Sequence, residues 1–308
     1  MEPKTFTEVR RMTDAEARSY LEQIRWPDGI PVCPHCGVVG ESTALQGAAH
    51  REGVYKCRAC RKQFTVTVGT IFQGSHIGLG HWLTAFYIVC ASKKSVSALQ
   101  LQRMLGLGSY KSAWHMGHRI RTALSNGPDE GPLTGHVECD ETYVGGKPRR
   151  FSPALGGGKG HGGRGTKKTA VMVLVERGGR ARSQPVSGVG GRILSEVIHD
   201  NVHPDARLNT DEFSAYRKVG KAWAGGHDVI NHSKRYADGA NHVNSAESYN
   251  GLIKRCIMGA WHHISRQHMQ KYLNEISFRW SHRKATDSER AVTALRQGDG
   301  VRLKYKQG

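Results

Sequence analysis

The stretch His136-Val137-Glu138-Cys139-Asp140-Glu141-Thr142-Tyr143-Val144 decides how this chain is read. Its β-branched and aromatic residues predict a strand. Three acids stand in mid-run, and a buried or half-buried strand seldom carries carboxylates without a compensating role. Strand alternation puts Glu138 and Asp140 on one face and Glu141 on the other. Downstream, Arg207-Leu208-Asn209-Thr210-Asp211-Glu212 reads as a short strand ending in acids, followed by a helix from Phe213. At that strand end Glu212 could substitute for Asp211. Asn244-Ser245-Ala246-Glu247 opens a helix over 247–257, with Ser245 as a candidate cap.

Spacing carries the argument. Seventy residues lie between Asp140 and Asp211, and 35 between Asp211 and Glu247. Such acids converge only if sequence-distant elements pack together. Carboxylates at strand ends are where open mixed sheets place their chemistry. Gathered, they form a hard, oxygen-rich site suited to Mg²⁺ or Mn²⁺. Three unneutralised carboxylates repel one another, so cations are needed to keep all three ionised. Two such ions about 3.5–4 Å apart can stabilise the attacking and leaving oxygens of an in-line phosphoryl displacement. Lys254 follows Glu247 by two helical turns and shares its face. The plain alternatives are an ion-pairing acid at Asp140 or Asp211 and a dipole-favoured helix N-terminal carboxylate at Glu247.

Between these acids, Thr169 to Val175 reads as a strand buried on both faces, Arg182 to Val186 as its antiparallel return, and Ile193 to Val202 as a helix. The helix over about 266–284 carries Met269, Leu273, Ile276 and Trp280 on one stripe, a core face. A glycine-rich basic stretch follows the first acids, with Lys147, Arg149 and Arg150 at its start. It lacks the Gly-Lys-Ser/Thr of a phosphate loop. It reads as a cationic loop that can lie along a DNA backbone, or as a solvated insertion.

Towards the N-terminus, Cys33-Pro-His-Cys36 and Cys57-Arg-Ala-Cys60 are two CxxC pairs at zinc-site spacing. Four thiolates close a tetrahedral shell with no open position, so the metal is structural. Lys56, Arg58, Arg61 and Lys62 flank the second turn and favour thiolates. Gln63 to Val68 alternates like a strand, which makes the unit a zinc ribbon. The alternative is one redox pair and one incidental pair.

Residues 76–125 read as helical throughout. Ser97 to Leu105, the break Gly106-Leu107-Gly108 and a helix from Tyr110 capped by Ser109 have helix-turn-helix form. Ala113, Trp114, Gly117, Ile120 and Leu124 make the inward stripe; Lys111, His115, His118, Arg119 and Arg121 are expected on the outer, DNA-facing side. A plain helical hairpin with a solvated charged face is the alternative.

Composition agrees with a nucleic-acid partner. Lys and Arg number 45 against 26 Asp and Glu, a net charge of +19. Hydrophobic residues make up 38%, enough for an ordinary core, which excludes a wholly disordered chain. No apolar stretch is long enough to span a bilayer, and MEPKTFTEVRR lacks a signal h-region. The expected compartment is a bacterial or archaeal cytoplasm, with the protein on the nucleoid, so the cysteines are not a disulfide framework.

The order CxxC…CxxC, Ser109-Tyr110-Lys111-Ser112-Ala113-Trp114, Cys139-Asp140-Glu141-Thr142-Tyr143-Val144-Gly145-Gly146-Lys147, Asn209-Thr210-Asp211 and His242-Val243-Asn244-Ser245-Ala246-Glu247-Ser248-Tyr249-Asn250-Gly251-Leu252-Ile253-Lys254-Arg255 resembles prokaryotic insertion-sequence transposases. It is similar to their ISXO-like branch with an N-terminal zinc ribbon, from about residue 15 to 290. The resemblance implies an α/β, RNase H-like catalytic domain with a DDE triad. Asp140, Asp211 and Glu247 would bind the metals and Lys254 would contact phosphate. Relatives can carry Asn as the third member, and Asn244 stands one turn before Glu247. Trp261-His262-His263-Ile264-Ser265 also resembles the family, without an assigned role.

The expected organisation is 1–75 with the ribbon, 76–125 as the helix-turn-helix unit, a linker, 134–290 as the catalytic domain and 291–308 as a polar tail. The expected function is transposition: gripping element ends on double-stranded DNA, Mg-dependent cleavage, then strand transfer, with a homodimer or larger assembly as a family expectation. The rivals are an RNase H-like nuclease that cuts without joining, and a non-enzymatic zinc-containing regulator.

Overall fold

The computed structural model describes residues 2–47, 49–125, 131–145, 168–230 and 242–304. They belong to two compact units, Met1–Gly127 with Arg283–Gly308, and Pro128–His282.

The first unit opens with helices α1 (Phe6–Arg11) and α2 (Asp14–Arg25). Each starts with a capping box, Thr5 with Glu8 and Thr13 with Glu16, which satisfies two orphan N–H groups reciprocally. A three-stranded antiparallel sheet follows: β1 (Ser42–Ala44), β2 (Tyr55–Cys57) and β3 (Gln63–Phe64). Too small for an aliphatic core, it packs Trp26, Tyr55 and Phe64 ring to ring, with Tyr55 and Phe64 stacked at 5.7 Å. The strand expected over 63–68 is only two residues long. From Val66 the chain turns, because Arg25 of α2 takes the carbonyls of Val66 and Val68, both at 2.8 Å, in place of a strand partner.

Three helices complete the forward run: α3 (Leu79–Ala91), α4 (Ala98–Leu105) and α5 (Tyr110–Ala123). The region is therefore not helical throughout; 92–97 breaks it. Helix α3 buries every residue from Trp82 to Cys90 and is the centre of this unit. Ser97 caps α4 by accepting from the Gln100 N–H, and Gly106 ends it at φ 65, where a Cβ would be strained.

The second unit is a five-stranded sheet with helices on both faces. Its elements are β4 (His136–Val144), β5 (Thr169–Glu176), β6 (Ala181–Val186), α6 (Gly191–Asn201), β7 (Arg207–Asp211), α7 (Tyr216–Ala222), β8 (His227–Ile230), α8 (Asn244–Cys256) and α9 (Met269–Ser281). The spatial order is β6-β5-β4-β7-β8. The hairpins β4–β5 and β5–β6 are antiparallel, whereas β7 and β8 run parallel to β4. Val137, Cys139, Met172 and Leu174 face α6 and α7, packing with Leu194, Ile198 and Tyr216. Val171, Val173 and Val175 face the other way, against Ala246, Tyr249 and Ile253 of α8 and Leu273 and Ile276 of α9. Because β5 is apolar on both sides, it must be central, which matches its continuous hydrophobic run. This is the RNase H-like arrangement expected.

The chain then rejoins the first unit as α10 (Asp287–Arg296). A Thr286–Glu289 capping box starts it, it buries Ala291, Val292, Ala294 and Leu295, and Arg290 donates to the Cys90 carbonyl at 3.0 Å. The boundary expected at 290 and the polar tail expected from 291 are thus corrected: 290 falls inside an amphipathic helix that covers α3.

Candidate functional site

In the parallel pair, β4 and β7 keep one register from His136–Arg207 to Cys139–Thr210. One step further that register sets Asp140 beside Asp211. Neighbours across a sheet share a face, so both point towards α8. Helix α8 meets them with its own polar side. The Asn250 Nδ2 donates to Asp140 Oδ2 at 2.7 Å, and the Glu141 N–H donates to Asp140 Oδ1 at 2.7 Å. Burial pushes the Asp140 carboxyl up to about 6, and the charges of Asp211 and Glu247 push the same way, against the bonds from Glu141 and Asn250. Three acids from two strands and a helix therefore act on one another in one polar neighbourhood.

Asp211 also shapes the strand exit: its Oδ1 accepts from the Phe213 N–H at 3.0 Å. Glu212 lies beyond the strand and is exposed. Glu247, Asn244 and Lys254 are exposed on α8. Among the described residues, only the four ribbon cysteines gather their ligand atoms within 4.8 Å of one another. The three carboxylates make no such tight group; like charges favour that separation.

Two roles at this site were not legible in the sequence, those of Glu138 and Asn250. Glu138 is fully buried and accepts from Arg177 Nε at 2.7 Å, Ser245 Oγ at 3.2 Å and the Ala246 N–H at 2.9 Å, with His242 Nδ1 lying 3.1 Å away. Helix α8 has Val243 at its N-cap position and no side-chain cap of its own. Glu138, a carboxylate from the adjacent strand, takes that place, where the helix dipole favours negative charge. The expected cap, Ser245, donates to Glu138 instead. Asn250 is the second. It stands one turn after Glu247, a spacing visible in the sequence, but its neutrality hid it among the acids.

The four cysteines form the second centre. Cys33 and Cys60 Sγ lie 3.7 Å apart, as do Cys36 and Cys57. Burial pushes the Cys33 thiol up, but the N–H groups of His35 and Cys36 and two neighbouring thiols outweigh it and hold it at about 7. At Cys36 the Val38 N–H favours the thiolate, but burial and the thiols of Cys33, Cys60 and Cys57 push the group to about 12. Four sulfurs this close, sharing protons, suit a single zinc ion.

The expected DNA-facing residues divide. Lys111 is exposed on the first turn of α5 and His115 is half-buried. His118, Arg119 and Arg121 are buried, which overturns their placement on an outer face. Arg119 donates to the Gln73 carbonyl at 2.9 Å and lies 5.0 Å over the Trp82 ring. His118 packs on Trp114 at 4.0 Å, and the Arg121 guanidinium lies over Gly117, 3.0 Å from where a Cβ would stand. After its first turn α5 is enclosed nearly all round, so its cations serve the packing of the unit. Ser109 stands at the N-cap position but makes no side-chain cap bond. Lys147, Arg149 and Arg150 lie outside the described residues.

An RNase H-like unit with acids on its adjacent parallel strands, on one chain with a four-cysteine ribbon, has the form of the DNA-processing transposases. Residues 132–281 match the ISXO2-like transposase domain and residues 12–63 the transposase zinc-ribbon domain. A protein of the transposable element ISH50 of Halobacterium salinarum is 30% identical over 284 residues, covering 90% of this chain and 92% of its own length. An uncharacterized transposase-like protein of Haemophilus influenzae is 28% identical over 96 residues, 31% of this chain and 76% of its own. The chain belongs to the ISXO2-like transposase family. No helix among the described residues is long and apolar enough to cross a membrane.

Proposed function

We propose that this transposase binds the ends of its insertion sequence and performs Mg-dependent cleavage and strand transfer, with Asp140, Asp211 and Glu247 as the metal-binding acids. The observation that carries this reading is geometric: the β4–β7 register sets Asp140 beside Asp211, and Asn250 of α8, one turn after Glu247, donates to Asp140 at 2.7 Å. A donor set of that chemistry fits hard divalent cations, which relieve the repulsion. Bound there, two Mg²⁺ or Mn²⁺ ions would stabilise the attacking and leaving oxygens of an in-line displacement.

The chain's own groups do the rest. Asn250 and the Glu141 N–H each hold one oxygen of Asp140, Glu138 caps the start of α8, and α8 carries Glu247 on its exposed face. Lys254, two turns along, offers an exposed ammonium to a phosphate. The cysteine centre holds zinc as a structural ion. Lys111 and the exposed first turn of α5 are the helix-turn-helix surface offered to duplex DNA, and the assembly on paired ends is a dimer or larger.

The test is a nicking and joining assay with end DNA, intact and pre-cut. Asp140→Asn, Asp211→Asn and Glu247→Gln should each lose both reactions by at least about 10³-fold while retaining end binding. A chain that nicks but never joins pre-cut ends is a nuclease of the same fold. Joining by Asp140→Asn in Mg²⁺ refutes the assignment.

A further inference from the structure

Helix α8 does not stop at Cys256. It runs on as a π-helical turn, Ile257–Trp261, and leaves through His262 at φ 57 and ψ −42. A non-glycine residue there is strained, and both π-turns and strained residues concentrate at functional places. The turn is firmly seated: Ile257 is buried in the α8–α9 core, and Trp261 packs on Tyr272 at 4.6 Å. Its tip, however, is apolar and open. Met258 is 72% exposed, the most of any large hydrophobic side chain among the described residues. Within eight residues of it along the chain, Lys254, Arg255, His262, His263 and Arg266 are exposed. From Ser248 to Asn274 the chain contains no Asp or Glu at all. An apolar tip in a cationic stretch of chain free of acids is complementary to a polyanion with stacked apolar steps.

We propose that this turn is a duplex-DNA contact of the catalytic unit, in which the cations hold phosphates and Met258 bears on a base step as an apolar wedge. It rests on the transposase reading only for the choice of DNA. Met258 stands 11 residues after Glu247. At about 1.5 Å per residue that is about 16 Å along α8. A strand running beside the helix, at about 3.4 Å per nucleotide, meets the turn about four to five nucleotides from the phosphate at the acids.

The experiment uses the full zinc-loaded chain and duplexes made from the DNA at the ends of its own element, with 2-aminopurine at successive positions, in Mg-free buffer. Fluorescence should rise at least about twofold with the probe about four to five nucleotides from the end, as a step unstacks. Met258→Leu should keep the rise and Met258→Ala should lose it. The Arg255→Gln/Arg266→Gln pair should flatten the slope of log K against log salt by about two. A rise undiminished in Met258→Ala, no rise at any position, or an unchanged slope overturns the proposal. Nicking by the same proteins in Mg²⁺ separates the two readings. A Met258-dependent rise without nicking keeps the contact and sinks the enzyme; nicking without such a rise does the reverse.

Discussion

Asn250 and Asp140, 110 positions apart in the chain, meet at 2.7 Å, amide nitrogen to carboxylate oxygen. Asn250 is buried on α8, whereas Glu247, one turn earlier, is exposed on the same helix. One helix thus supplies both an acid and the group that orients the acid opposite. Asn250→Ala should leave Asp140 held by the Glu141 N–H alone. Removing such an orienting partner typically weakens metal affinity or activity by about 10–100-fold. The Mg²⁺ concentration for half-maximal nicking should rise accordingly, and an unchanged requirement refutes the role.

Asp140 also predicts a pH dependence. Its folded pKa of about 6 lies above the ordinary carboxylate value, so the folded state holds this proton more tightly. The stabilising contribution is complete below the ordinary carboxylate range and is lost as pH rises through about 6. Asp140→Asn should therefore stabilise the protein above pH 6 in Mg-free, zinc-containing buffer, with the gain fading towards pH 4. Mg²⁺ should raise the melting temperature of the natural protein at pH 8 by more than that of the variant. Thermal unfolding across pH checks both signs.

The Glu138 cluster should report on folding. Glu138→Ala strips a fully buried carboxylate from Arg177 and uncaps α8. Breaking a buried pair from one side costs about 3–5 kcal/mol. Glu138→Gln, which keeps an acceptor for the Ala246 N–H, should cost less, about 1–3 kcal/mol. Urea unfolding of the two variants gives the order; equal losses refute the charge-based account.

Zinc removal should unfold the ribbon alone. Its strands are two or three residues long and its core is three aromatic rings, too little to hold without the metal. Cys57→Ser should expose residues between 30 and 65 to protease while 132–281 stays protected. A resistant ribbon refutes the structural role.

Truncation tests the C-terminal helix. A chain ending at 290 loses Val292, Ala294 and Leu295 from the core around α3. Losing two large buried side chains costs several kcal/mol, at about 2–5 each. Such a chain should be poorly soluble, whereas one ending at 300 should melt within a few degrees of the full chain.

The sequence by itself determined the parts that depend on local pattern. Two CxxC turns, a strand apolar on both faces, acids at strand ends and an amphipathic helix after Glu247 are each legible within a dozen residues, because ligand spacing and hydrophobic periodicity are local properties. The four-cysteine centre was readable in this way, as were the strand positions of Asp140 and Asp211 and the helical position of Glu247. Only the tertiary structure decided what those elements meet. It buried His118, Arg119 and Arg121, since a helix enclosed on nearly all sides has no outer face, whatever its charges. It gave Glu138 the cap of a helix 108 positions away and set Asn250 against Asp140. It returned α10 to the N-terminal unit, because an apolar stripe states that it must be covered and never by what.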